Sequence, residues 1–284
     1  MTKPRRNAAF PDGHFYSPVV DTDDIGRRVD TLWPVDPEIL GIDFNDPSHE
    51  GVLDDWFPRF MPAWDYPEVL KETAGLDAFY TRNSQFSWLD CRALFVILQA
   101  IRPRRMIEVG SGFSSLLTAD VNRRFLGGEL DFTCIEPYPR EFLRKGIHGI
   151  SRLLEARVEQ VARSEFDALQ AGDILFIDSS HVAKTGSDVV HLFFEVLPRR
   201  APGVVVHVHD IFLPHDYPRE WAITENRSWN EQYLLRALLM YSTAFEVLFG
   251  ACHALHRHPE RLARALGRAD GRVFGGGSFW MVRR

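Results

Sequence analysis

The residues of this chain equipped to bind and transform a ligand are two acidic strand ends, a pair of glycines one residue apart, and a later group of Asp and His. Met106-Ile-Glu-Val-Gly-Ser-Gly-Phe-Ser-Ser115 passes from an apolar run through Glu108 into Gly110, Ser111 and Gly112. Glycine there allows backbone angles and a closeness of approach that a side chain would block. Helical spacing resumes at Phe113, so free N–H groups of a first turn would point into the same crevice. Glu136, after Phe132-Thr-Cys-Ile135, is positioned to accept hydrogen bonds from a ribose diol. Asp178 and His181 end Asp173-Ile-Leu-Phe-Ile-Asp-Ser-Ser-His181, and His209 and Asp210 end Gly203-Val-Val-Val-His-Val-His-Asp210. A carboxylate or imidazole in a cleft can take a proton, which makes His181, His209 and Asp210 the catalytic candidates. A histidine at a strand end also serves readily as a structural hydrogen-bonding group, and His207, on the same strand face as His209, suits buried packing.

Strands and helices must alternate to bring these residues together. Apolar runs predict strands over 105–110, 130–136, 152–158, 172–178, 203–210, 245–249 and 278–282. Between them, helical spacing predicts a helix from a Ser87 cap, with Asp90 three residues on, to the stop at Pro103. Others follow over 113–125, after Pro139, from a Ser187 cap to Pro198, and from the capping-box spacing Ser228-Trp-Asn-Glu231. This alternation implies a mainly parallel sheet covered on both faces, with ligands bound outside the carboxyl ends of its strands. Residues 1–80, rich in proline and tryptophan and lacking sustained periodicity, predict an ordered but irregular arm or lid in front of a domain over 81–284. In that arm His14 and Tyr16 are candidates to face a substrate, or simply to dock the arm.

The chain has 284 residues, 45% hydrophobic and 25% charged, with a net charge of −6. That balance suits a soluble globular protein and disfavours nucleic acid as a partner. No apolar run reaches membrane-span length, and the basic N-terminus lacks the apolar core of a secretory signal, so the expected compartment is cytoplasmic. The three cysteines, Cys91, Cys134 and Cys252, form no Cys-x-x-Cys pair, and the first two lie in apolar patterns that predict core positions. His253, His256 and His258 suggest metal ligands by number, but without Cys or Asp nearby in the sequence they read as the solvated face of a surface helix over 253–272. Arg102, Arg104 and Arg105 read as an exposed helix end.

Taken in order, Val109-Gly-Ser-Gly-Phe-Ser, Cys134-Ile-Glu-Pro and the run from Asp173 to His181 resemble the S-adenosylmethionine-dependent methyltransferases of the Rossmann-like class. The small-molecule O-methyltransferase branch, with a Phe-Ile-Asp-x-x-His pattern on its fourth strand, is the nearest likeness. The resemblance spans roughly residues 80–284. It implies a doubly wound, mainly parallel seven-stranded α/β sheet with an antiparallel last strand, and S-adenosyl-L-methionine as cofactor. By it, Glu108, Gly110, Ser111 and Gly112 hold the methionine part, Glu136 the ribose, and Asp178 closes the pocket; Glu159 or Gln160 is a candidate for adenine. Asn83 is a candidate for the methionine end, or a turn former. The partner implied is a small-molecule methyl acceptor, with neither nucleic acid nor membrane, and a homo-oligomer is compatible with it.

Some members of this fold hold magnesium with carboxylates that map onto Asp178 and Asp210. Here the fifth-strand motif His209-Asp-Ile211 lacks the adjacent carboxylate or amide, which argues against a metal, although Asp216 could complete a set. A nicotinamide-dependent oxidoreductase is the main rival. It is disfavoured because Gly110-Ser-Gly-Phe-Ser-Ser115 lacks the third glycine of a dinucleotide fingerprint and because Glu108 would repel a pyrophosphate. A protein that binds S-adenosylmethionine without catalysis, as a regulatory or scaffold subunit, is the alternative of a different class. The polar Asp178, His181, His209 and Asp210 favour an enzyme.

Overall fold

The computed structural model describes residues 8–70, 75, 78–86, 88–267 and 276–284. Seven strands form one sheet: β1 (Arg105–Val109), β2 (Asp131–Ile135), β3 (Arg152–Leu154), β4 (Ile174–Ile177), β5 (Val205–Val208), β6 (Phe245–Gly250) and β7 (Phe279–Arg283). Their order is β3-β2-β1-β4-β5-β7-β6. The first five run parallel, and β7 is antiparallel to both β5 and β6. The expected Rossmann-like sheet with an antiparallel last strand is therefore present.

Register converts sequence spacing into a site. Val109 pairs with Ile135 on one side and Ile177 on the other, and Ile177 pairs with Val208. The residues that follow these four, Gly110, Glu136, Asp178 and His209, thus emerge along one edge, where the strand order reverses between β1 and β4. Strand alternation gives each face its own core. Met106, Phe132 and Phe176 pack under the helices Trp88–Ile101 and Phe113–Phe125. Ile107, Val109, Leu175 and Ile177 face the other layer with Val189, Leu192 and Leu235. Arg102, Arg104 and Arg105 are exposed, but the helix ends at Ile101 and Arg105 opens β1, so they form no helix end; Cys91 and Cys134 are buried as expected.

Several local expectations are corrected. The cap at Ser87 lies outside the described residues; its supposed partner Asp90 instead accepts from the backbone N–H groups of Gly277, at 3.2 Å, and Ser278, at 2.8 Å. Ser187 does cap its helix, accepting from Val190 N–H. The Ser228–Glu231 capping box does not form: the helix Glu231–Leu239 begins after Asn230, and the Ser228 hydroxyl accepts from Val20 N–H at 3.1 Å. The arm is more regular than its sequence suggests, with helical turns continuous from Asp46 to Ala63 that bury Val52, Leu53 and Phe57 in the main core. Among the described residues no helix is long and apolar enough to cross a membrane.

Candidate active site

The turn after β1 has two glycines with different duties. Gly110 has φ of +83°, and a Cβ there would lie 1.7 Å from the Asp178 carbonyl, so only glycine lets β1 and β4 close together. Gly112 is extended, and a Cβ there would meet nothing nearer than the Gln85 side chain at 3.9 Å. Its missing side chain therefore leaves room on the cleft side, a cradle suited to a ligand. The Ser111 N–H donates to Glu136 at 3.2 Å and the Tyr138 N–H donates to the same carboxylate at 2.8 Å, which fixes Glu136 at the cleft wall.

Glu108 is placed differently from the expectation. Sharing the face of Met106, it points beneath the turn, is fully buried and lines no part of the cleft. One oxygen accepts from the Ser115 hydroxyl and from Cys134 Sγ at 3.6 Å, while the other has no partner. Burial raises its pKa to about 7. Ser115 also accepts the Gly112 N–H at 2.9 Å, so Glu108 supports the turn through Ser115.

Beyond the turn, His181 is the centre of an acidic cluster. Its Nε2 is 3.4 Å from Asp178 Oδ1 and 3.4 Å from Asp210 Oδ2, and its Nδ1 is 2.9 Å from Glu231 Oε2. Burial alone would lower its pKa, but the hydrogen bonds to Asp178 and Glu231 outweigh burial and lift it to about 10. At neutral pH the ring is an imidazolium, unable to accept a proton. Burial also opposes charge on Asp178, yet His209 and His181 prevail and hold its pKa below the ordinary carboxylate value. For Asp210 burial prevails over the same two histidines, and its pKa is raised. Burial opposes charge on His209, but Asp178, Asp210 and Asp90 prevail and raise its pKa. His207 is packing: it stacks on Phe176 at 3.8 Å, hydrogen-bonds Ser278 at 3.1 Å, and burial holds it neutral. The backbones of His181 and Asp210 have φ of 60° and 56°, an uncommon conformation for residues with side chains that concentrates strain here.

Two adjoining hollows open along this edge, of about 380 and 780 Å³. They share Gly110, Glu136, Tyr138, Asp178, Ser179 and Ser180. The smaller continues toward Val158 and Glu159, and the larger holds Ser111, Gly112, His181, His209 and Asp210. Trp221, Arg227 and Trp229 form one wall of the larger, with the Arg227 guanidinium 4.1 Å from one indole and 4.7 Å from the other. Trp229 packs on His181 at 4.3 Å.

The remaining candidates divide. Glu159 lines the smaller hollow and Gln160 lines neither. Asn83 is a turn former, its amide bonded to the carbonyls of Tyr80 and Phe86 and to the N–H groups of Gln85 and Phe86. His14 and Tyr16 line neither hollow and pack against Phe10 and Phe15. Asp216 takes the Tyr233 hydroxyl at 2.7 Å and borders a separate depression, so it completes no set with Asp178 and Asp210. The metal-capable group there is Asp178, His181 and Asp210. An imidazole among the donors does not fit the all-oxygen octahedron that magnesium prefers. His253 and His258 are not a solvated face, since both are largely buried against Asp46. The residue that sequence reasoning missed is Glu231, whose spacing from Ser228 resembles a cap; only its place at the start of an apolar helix face hinted at burial.

A family profile described as a methyltransferase domain matches residues 107–211. An uncharacterised protein of Archaeoglobus fulgidus is 36% identical over 165 residues, covering 57% of this chain and 74% of that protein. Among solved structures, an O-methyltransferase of Bacillus cereus in complex with SAH aligns over 92% of this chain and 97% of its own, at 15% identity and a TM-score of 0.41. A Klebsiella pneumoniae protein provisionally assigned as an O-methyltransferase aligns over 82% and 89%, at 14% identity and the same score of 0.41. Neither superposition adds an argument at that score; the strand order carries the fold.

Proposed function

This chain belongs to the S-adenosylmethionine-dependent methyltransferases, and from that premise we propose that it methylates a small molecule at an oxygen atom. The observation that carries the reading is the position of Asp210: a carboxylate of raised pKa that lines the same hollow as Gly112 and Glu136. S-adenosylmethionine supplies an electrophilic methyl group on a sulfonium.

The chain's own residues supply the rest. Glu136 is available to the ribose, the smaller hollow with Glu159 to the base, and the open side of Gly112 to the methionine end. His181 and His209 hold Asp178 and Asp210 in place, and Asp178, whose charged form these rings favour, supplies a negative group that suits a sulfonium. Asp210 would take the proton that the acceptor hydroxyl releases when its oxygen receives the methyl group. The wall of Trp221, Arg227 and Trp229 offers flat aromatic and guanidinium faces that suit a compact, flat acceptor. No step needs a magnesium ion, for which the donor set is unsuited.

Incubation with isotopically methyl-labelled S-adenosylmethionine and a panel of phenols, catechols and sugar alcohols tests the reading. Label should enter the organic fraction as a methyl ether. Label recovered only on protein, nucleic acid or nitrogen acceptors would overturn it.

A further inference from the structure

Away from the cleft, the arm meets the helices that follow β6 at a group of two imidazoles and one carboxylate. His253 Nε2 lies 2.8 Å from Asp46 Oδ1, and His258 Nε2 lies 3.1 Å from the same oxygen. These three atoms all lie within 4.8 Å of one another. We propose that Asp46, His253 and His258 form a site for a divalent transition ion of zinc type, which clips the arm to the far edge of the sheet.

The convergence is built by the fold. Five residues apart on an unbroken helix, two side chains point about 140° away from each other. The helix Ala251–Arg257 ends at His258, whose backbone leaves the helical region at φ −125° and ψ 44° before Pro259 starts the next helix. That break swings the second ring onto the side of the first. Asp46 is fixed by its own helix, Asp46–Gly51, which is anchored to β6: Asn45 donates to the Val247 carbonyl at 2.9 Å and Ser48 to the Leu248 carbonyl at 2.8 Å. His253 is held flat against Phe44 at 4.2 Å.

The chemistry of the donors suits zinc. Tetrahedral zinc with bonds of about 2.0–2.1 Å keeps its ligand atoms roughly 3.3–3.4 Å apart, so the two nitrogens need move only a few tenths of an ångström from the oxygen. His253 Nδ1 makes no hydrogen bond, so no competing partner prevents the ring from taking the tautomer that leaves Nε2 its lone pair. The Asp46 side chain is 43% exposed, which leaves a path for the ion and for a water in the fourth position. His49, although adjacent, is excluded as a ligand: its Nε2 accepts the Gly250 N–H at 2.8 Å and its Nδ1 faces the Asn45 carbonyl at 3.3 Å. The Arg257 guanidinium, 3.8 Å from the other Asp46 oxygen, neutralises part of the carboxylate and limits affinity. Imidazole donors and a single carboxylate disfavour calcium and magnesium.

The test uses the full chain, stripped with a chelator, then titrated with zinc by calorimetry and with cobalt by visible absorption. One equivalent should bind, with the intense bands of four-coordinate cobalt. Affinity should fall at least about tenfold in His258→Gln and in Asp46→Asn. Asp210→Asn, which alters the other metal-capable group, should leave it unchanged. Retained binding of S-adenosylhomocysteine establishes that each variant is folded. Absence of saturable binding, weak octahedral cobalt bands in the wild-type protein, unchanged affinity in His258→Gln, or a loss confined to Asp210→Asn would each overturn the site.

Discussion

Glu231 Oε2 receives His181 Nδ1 at 2.9 Å across fifty positions of sequence, and neither group reaches bulk water. The pair joins the helix Glu231–Leu239 to the loop after β4, so the acidic cluster depends on it for its geometry. Glu231→Gln keeps the volume and a hydrogen bond but removes one of the charges that raise His181. The variant should lose about 1–3 kcal/mol of stability in urea unfolding and move the His181 titration, followed by NMR, toward its ordinary value of 6.5. An unmoved titration would show that Asp178 alone sets the charge of the ring.

The same histidine gives a signed pH dependence. Its folded pKa of about 10 exceeds its ordinary 6.5, so protonation is favoured by the fold. The stability it contributes is complete below about 6.5 and is lost as pH rises through about 10. The stability difference between wild type and His181→Gln should therefore shrink over that interval. A difference that widened with pH would contradict the imidazolium assignment.

For Asp210 the test is catalytic. Asp210→Asn preserves shape but cannot accept the acceptor's proton, so turnover should fall by about 10²–10⁴-fold. Affinity for S-adenosylmethionine, measured by calorimetry, should stay within about twofold of wild type. Unimpaired turnover would remove Asp210 from the reaction.

The two glycines should fail in different ways. Gly110→Ala forces a Cβ into the Asp178 carbonyl at positive φ and should destabilise the fold by about 1–3 kcal/mol or more. Gly112→Ala meets no protein atom within 3.4 Å, so it should fold normally and yet bind S-adenosylmethionine at least about tenfold more weakly, a loss of roughly 1.4 kcal/mol. Normal binding by Gly112→Ala would move the methionine end elsewhere.

Glu108 and Glu136 should also separate. Glu108 has a folded pKa of about 7 against an ordinary 4.5, so its neutral form is stabilised; that contribution is complete below 4.5 and lost as pH rises through about 7. Glu108→Gln should abolish this dependence and leave cofactor affinity nearly intact, whereas Glu136→Ala should weaken it. Calorimetry on both variants decides; a large loss in Glu108→Gln would return that residue to the cofactor.

The strands, the glycine turn and the carboxyl-end residues were legible because they rest on local rules. Apolar runs bounded by turn residues specify buried parallel strands, and the first residues beyond each strand are Glu136, Asp178 and His209-Asp210. By itself the sequence thus determined the sheet and the edge at which we propose that the nucleoside cofactor binds. Only the tertiary structure decided which polar groups share an environment. Period-two alternation turned Glu108 under the turn, where its charge is costly. The helix Glu231–Leu239 carried Glu231 to His181, and the resulting field made a candidate base into a fixed cation. The break at His258 brought His253 and His258 to Asp46, 207 and 212 residues away in sequence. Charge and hydrogen bonding act through distances of a few ångströms, and spacing along the chain reports those distances only within one turn or one strand.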